Sequence, residues 1–225
     1  YPIPNRVAWP SWGICFRGVI SRRHKRMNRL NKDVSKFRLD GQAALVTGST
    51  RGIGWAIARG MAESGSTVYV NGRDKKVLAA RCKNLIDLGY DAKPAFFDAT
   101  NIEAINSFLD CTDTPIDILV NNAAIRLRKP LSEISPKAFS EVLEANLTSI
   151  YAISRRFAAR LEDQQTKGSL INITSIAGPR ARPGDPAYTA AKGGLEALTR
   201  SLAVELAPKV RSVSYTHLRA HETQR

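Results

Sequence analysis

The chain has 225 residues, 43% of them hydrophobic, and its 34 Lys and Arg against 20 Asp and Glu give a formal net charge of +14. That length and apolar fraction fit one globular domain with a substantial core, and no uninterrupted apolar stretch reaches the ~20 residues that a membrane-spanning helix needs. The charge would suit a nucleic-acid partner, but it sits at the two ends: residues 41–208 carry 20 basic against 17 acidic residues, so no polyanion-binding face is expected there.

In chain order, residues 1–26 mix Pro, Trp and Arg, lack an initiator Met and keep no period of 2 or 3.6 residues. Residues 1–36 are expected to be an unstructured or non-native leader, with Met27 the more natural start. A transit peptide and translated upstream sequence would both produce such a basic, acid-free stretch. Cys15, Cys82 and Cys111 have no metal-like spacing and leave one thiol unpaired, which favours a reducing, cytoplasmic setting.

The body of the chain alternates short apolar runs with longer helical patterns. Strands are predicted from Ala43 to Val46, Thr67 to Asn71, Ala92 to Phe97, Ile116 to Val120 and Ser169 to Ile173. This is the rhythm of an α/β protein: a Rossmann-like, doubly wound parallel sheet in a three-layer α/β/α domain. Ligands of such sheets bind beyond the carboxyl ends of the strands, and the notable residues fall there. Thr47-Gly48-Ser49-Thr50-Arg51-Gly52-Ile53-Gly54 follows the first run and opens a helical pattern, the means by which backbone N–H groups reach a pyrophosphate. Gly72 and Arg73 follow the second run, Asp98 the third, Asn121 and Asn122 the fourth, and Ser175 the fifth. Tyr188-Thr189-Ala190-Ala191-Lys192 comes thirteen residues after Ser175. Taken singly, Tyr188 and Lys192 could be an exposed helix pair, Ser175 a turn cap and Asn146 a helix filler. In this order behind the glycine turn they describe one active site.

These residues carry a resemblance. Residues 37 to 208 resemble the short-chain dehydrogenase/reductase family, whose glycine turn reads Thr-Gly-x-x-x-Gly-x-Gly as at 47–54. The family's Asn-Asn-Ala-Gly turn is matched by Asn121-Asn122-Ala123-Ala124, and its helical asparagine by Asn146 in Glu144-Ala145-Asn146-Leu147. Ala124 stands where the family has glycine. If that position needed a positive φ, a local backbone adjustment would be required, without loss of cofactor binding.

The resemblance implies Asn146, Ser175, Tyr188 and Lys192 as catalytic residues. It implies Gly48, Ser49, Arg51, Gly52, Ile53, Gly54, Arg73, Asp98, Asn122, Tyr188 and Lys192 as cofactor contacts. The activity implied is hydride transfer between a nicotinamide cofactor and a secondary alcohol or ketone, with Tyr188 as general acid/base. A free phenol titrates near pH ~10, so it needs a neighbouring cation, and Lys192 lies one helical turn away. Ser175 would donate to the substrate oxygen, and Asn146 would hold a water of a proton relay leading to Lys192. Asp98 would contact the adenine, although an acid at a strand end is also a common helix N-cap.

Cofactor choice follows from charge. An acid at the end of the second strand would read the ribose hydroxyls of NAD, whereas here alignment with the family puts Gly72 at that position and Arg73 next, with Arg51 in the glycine turn; NADP(H) is expected. Asp74 is the complicating acid. The segments Asn71-Gly72-Arg73-Asp74, Arg126-Leu127-Arg128-Lys129-Pro130 and Arg180-Ala181-Arg182-Pro183-Gly184 look like the gluconate 5-dehydrogenase branch, while 3-oxoacyl-acyl-carrier-protein reductases share the core motifs. Substrate thus stays open between a keto-gluconate-like sugar acid and a 3-oxoacyl thioester, and the partners implied are this small molecule and copies of the chain in a homotetramer. A catalytically silent cofactor-binding or interaction protein on the same fold is the alternative from a different class.

Residues 37–211 are expected to form the catalytic domain. After Arg211 the family continues into a strand with Asn-x-x-x-Pro-Gly, a substrate loop and a last strand, but here the run from Ser212 to Thr223 resembles the conceptual translation of a sequencing-library adapter. Residues 212–225 are therefore expected to be an artefactual tail, leaving the sheet without its last strand or strands, and the chain is expected to fold poorly with little activity. His217 and His221 have the i,i+4 spacing of metal ligands but no third ligand in view, so no metal is expected.

Overall fold

The computed structural model describes residues 37–112 and 114–216. The leader read at 1–36 falls outside them, as do His217 and His221. The compact unit that begins at Leu39 is built on β1 (Ala43–Val46), α1 (Gly52–Glu63), β2 (Thr67–Gly72), α2 (Lys75–Asp87), β3 (Ala92–Phe96), α3 (Ile102–Cys111) and β4 (Ile118–Asn121). It continues with α4 (Pro136–Leu143), a π-helical turn over Glu144–Thr148, α5 (Ser149–Asp163), β5 (Gly168–Ile173), α6 (Pro186–Glu205) and β6 (Val210–Tyr215).

The sheet order is β3-β2-β1-β4-β5-β6, and every pairing is parallel. Central parallel strands joined by crossover helices are buried on both faces, which is why the runs of β1 and β4 are continuously apolar, whereas β3 at the sheet edge leaves Lys93, Pro94 and Phe96 exposed. In β1, Ala43 and Leu45 join a cluster with Phe97, Ile105, Phe157 and Leu170, while Ala44 and Val46 join Ala58, Val68, Leu78 and Leu85 on the opposite face. Chain order reverses between β1 and β4, so the glycine turn and the turn at Asn122 open into one crevice there.

The five predicted strands form within two residues of their expected limits. A sixth strand, not among the five predicted, takes in the first residues of the run read as a tail: backbone pairing with β5 runs from Gly168↔Val210 to Ile173↔Tyr215. The reason is register. Val210 and Ser212 turn inward, the Ser212 hydroxyl donates to Thr199 O at 3.3 Å, and Tyr215 O accepts from Thr174 N at 3.0 Å. Among the described residues the sheet ends at β6, with Tyr215 half exposed.

Candidate active site at the switch point

The glycine turn is held from three sides. Thr47 Oγ1 accepts the amides of Asn122 and Ala123, both at 3.0 Å, tying the end of β1 to that of β4. The Asn122 side chain donates back from Nδ2 to Thr47 O at 2.9 Å and Gly48 O at 3.2 Å. Gly54 must be glycine: a Cβ there would lie 2.4 Å from Asn122 Nδ2 and 2.5 Å from Gly48 O. α1 then begins with Arg51 at its N-cap, no side-chain cap and no acid in its first turn, so its positive end faces the crevice. A pyrophosphate fits this cradle in charge and in donor chemistry.

Two predicted contacts turn out to be committed internally. The Gly48 amide donates to Asn71 Oδ1 at 2.9 Å, and the buried Ser49 hydroxyl donates to Val46 O at 2.7 Å while accepting the Asn71 amide at 2.9 Å. Asn71 was not among the predicted cofactor contacts. Its Nδ2 also donates to Ala95 O and Phe97 O, so one buried side chain joins the glycine turn to β2 and β3. A buried polar residue closing an apolar strand was the available signal.

At the end of β2, Arg73 pairs with Asp98 at 3.2 Å, both side chains well exposed. Asp98 also accepts the Thr100 amide and hydroxyl. Partial burial pushes its carboxyl up, but the Thr100 bonds and Arg73 together hold it below the usual range. Asn101, not Asp98, caps α3 through Ala104 N at 2.8 Å. Asp74 is spent on the Lys76 and Val77 amides of α2. Ala124 needs no adjustment. Among the described residues Gln165 is the one non-glycine with positive φ, and Ala124 is exposed, so the substitution is accommodated without strain.

On the substrate side, Lys192 is 2% exposed and donates from Nζ to Ile173 O at 2.7 Å, two residues before Ser175. Its Nζ lies 5.8 Å from the centre of the Tyr188 ring. Ser175 Oγ accepts the Ala177 amide at 3.1 Å, so it does cap a turn, yet its own proton remains to be donated. Asn146 is buried within the π-helical turn. Its Nδ2 donates to Val142 O and Ile125 O at 2.8 and 2.9 Å, and its Oδ1 has no partner. A buried orphan acceptor of this kind is where a water is held.

The two arginine-bearing loops meet. Arg126 grips the fully buried Asp185 carboxylate with Nε at 3.0 Å and with its terminal nitrogen, and its guanidinium carbon lies 5.3 Å from the Tyr188 ring centre. The hydrogen bond from Arg126 holds Asp185 below the usual carboxylate range against the upward push of burial. Lys129 N donates to Gly184 O at 3.0 Å alongside. Neither partner was singled out as a latch in the sequence reading, since 59 residues separate them.

Burial lowers the Lys192 pKa to about 8. The unfolded value is near ~10.4, so between these pH values the unfolded chain binds more protons and stability rises with pH. Below the folded pKa the desolvation cost is present in full. The unfolding free energy of the protein is expected to climb by ~2 kcal/mol between pH 8 and 10 relative to Lys192→Met. Urea titrations of both proteins across that range check it, and parallel curves would refute it.

A parallel, doubly wound sheet with an open glycine cradle and a Ser, Tyr and Lys set beside it defines a dinucleotide-dependent oxidoreductase. Residues 42–221 match the short chain dehydrogenase family model. This chain belongs to that family. It is 36% identical over 172 residues to the gluconate 5-dehydrogenase of Gluconobacter oxydans, covering 75% of this chain and 67% of that protein. It is also 36% identical to a 3-oxoacyl-acyl-carrier-protein reductase of Aquifex aeolicus, covering 77% and 71%. Among solved structures, a gluconate 5-dehydrogenase from Burkholderia cenocepacia in complex with NADP and tartrate superposes with a TM-score of 0.77 at 32% identity, covering 82% of this chain and 73% of that one. The alcohol and ketone chemistry of the family is thereby that of this chain. Among the described residues no helix is long and apolar enough to cross a membrane.

Proposed function

We propose that this chain is an NADP(H)-dependent oxidoreductase that interconverts a secondary alcohol and a ketone, with a keto-gluconate-like sugar acid as substrate. The observation that carries the reading is the convergence of Tyr188 and Lys192 on one helical turn, with Lys192 pinned two residues from Ser175. The complete set of Asn146, Ser175, Tyr188 and Lys192 argues against a silent cofactor-binding protein. The bound cofactor supplies or accepts the hydride. Tyr188 delivers the proton to the substrate oxygen in reduction and removes it in oxidation, and Lys192 keeps a cation beside the phenol and holds the nicotinamide ribose. Ser175 donates to the substrate oxygen, and Asn146 Oδ1 holds the water from which a relay to Lys192 starts.

Arg51, Gly52, Ile53 and Gly54 would face the cofactor phosphates, and Arg73 the 2′-phosphate, releasing Asp98 towards the adenine. An exposed ion pair is worth ~0–1 kcal/mol, so Arg73 can exchange that partner for a dianion at little cost. Kinship with gluconate 5-dehydrogenases supports the sugar acid, and the equal identity to a 3-oxoacyl reductase makes a 3-oxoacyl thioester the competitor. A homotetramer in the cytoplasm is the setting we propose by family likeness. Steady-state assays with 5-keto-gluconate and a 3-oxoacyl thioester, each with NADPH and NADH, test the proposal. NADPH is expected to be preferred at least ~10-fold, the effect of one charge-assisted bond. Equal use of NADPH and NADH sinks the cofactor assignment, and turnover of the thioester alone moves the substrate to the acyl branch.

A further inference from the structure

Arg81, on α2, takes no part in the site described so far, yet its side chain returns to the glycine turn. Nε donates to Thr50 O at 2.8 Å, and the guanidinium carbon lies 4.6 Å from the centre of the Trp55 ring on α1. Thr50 in turn packs against the end of β2: a Cβ on Gly72 would lie 2.5 Å from Thr50 Cγ2. Arg81 is thus anchored where the glycine turn touches β2, at Thr50 and Gly72, the residues that precede Arg51 and Arg73 in the chain. It is half-buried, and no ion pair to an acid forms at it among the described residues. The two acids of this corner are occupied, Asp74 by the amides of α2 and Asp98 by Thr100 and Arg73. Its other cations are Lys76 and Lys75, the latter over the Phe96 ring at 4.7 Å.

A planar guanidinium whose Nε is fixed and whose face lies on an indole has lost most of its rotamer freedom, while its two terminal nitrogens keep their donors. A backbone tie alone needs no charge, and among the described residues no carboxylate pairs with this guanidinium. We propose that Arg81 is a third cation of the site for the 2′-phosphate of the cofactor, a specificity residue that reads the phosphate while bracing the turn. This rests on the NADP(H) reading and adds a residue to it.

The test is binding of 2′,5′-ADP and 5′-AMP, measured calorimetrically on the full chain, since the two probes differ only in the 2′-phosphate. The chain is expected to prefer 2′,5′-ADP. In Arg81→Gln the affinity for 2′,5′-ADP falls about 5- to 20-fold, the scale of one charge-assisted hydrogen bond, while that for 5′-AMP holds. Equal losses for both probes would reduce Arg81 to a brace, and an unchanged ratio would remove it from the site; either overturns the proposal. If Arg81→Gln does not fold, the double variant Arg51→Gln, Arg73→Gln decides with Arg81 in place. A residual preference for 2′,5′-ADP supports the proposal, and its disappearance refutes it. Failure of the NADP(H) reading looks different, because the unaltered chain would then bind both probes alike.

Discussion

Tyr188→Phe is expected to remove turnover while leaving NADPH affinity within about a factor of two. General acid/base catalysis by a positioned group contributes roughly 10²- to 10⁴-fold, so the loss should fall in kcat by that amount and not in cofactor binding. The ring is held by what surrounds it, Arg126 at 5.3 Å and the Lys192 ammonium at 5.8 Å from its centre, and no described hydrogen bond of the fold uses the hydroxyl. Removing one oxygen therefore leaves the packing in place. Single-turnover reduction followed by NADPH absorbance, with fluorescence titration of the cofactor, separates the two effects. A phenylalanine variant that still turns over at the parent rate would take Tyr188 out of the chemistry.

Gly54→Ala is the second large effect, and it acts through geometry. The added methyl meets Asn122 Nδ2 at 2.4 Å, Gly48 O at 2.5 Å and Ser49 Cα at 2.9 Å, two of them backbone atoms of the turn that faces the phosphates. Backbone cannot rotate away as a side chain can, so the turn must open. Overpacking of this kind costs ~1–3 kcal/mol in stability, and displacing the donors should weaken NADPH by at least ~10-fold. Gly60→Ala is the control. It lies within the same helix with nothing within 4 Å of its Cβ position, and should be neutral or stabilising by up to ~1 kcal/mol. Thermal melts with and without NADPH read both quantities, since a ligand that binds the native state raises the midpoint. If the Gly54 variant shows the same NADPH-induced rise as the Gly60 variant, the close contact is not what shapes the cradle.

Much of this site could be read from the chain because each part is local. The glycine turn is contiguous, Tyr188 and Lys192 are one helical turn apart, and β1 and β4 are apolar runs buried on both faces. Polar partners distant in sequence carry no such period. Asn71 closes an apolar strand, a local sign that it has a polar task, but nothing local says that it will hold Gly48, Ala95 and Phe97 together. Nor does Arg81 announce that it reaches Thr50 across 31 positions. The sixth strand was missed for a related reason: Val210–Tyr215 mixes Arg211, Ser212 and Ser214 with apolar residues in no regular period, and it is β5 that supplies its register.

By itself the sequence determined five of the strands, the parallel sheet, the family, which strand ends carry the glycine, asparagine and serine residues, and the spacing of Tyr188 and Lys192. Periodicity and contiguous spacing are enough for those, because neighbours in the chain are neighbours in a turn or on a helix face. The tertiary structure alone decided how the pieces are pinned: Thr47 to Asn122, Arg126 to Asp185, Arg81 to the glycine turn, and Lys192 buried against Ile173 O. It also decided that Ala124 is harmless, since the sign of a backbone dihedral depends on the path of the whole loop. Each of these is set by the approach of segments far apart in the chain, where a buried polar group takes whichever partner the fold brings to it.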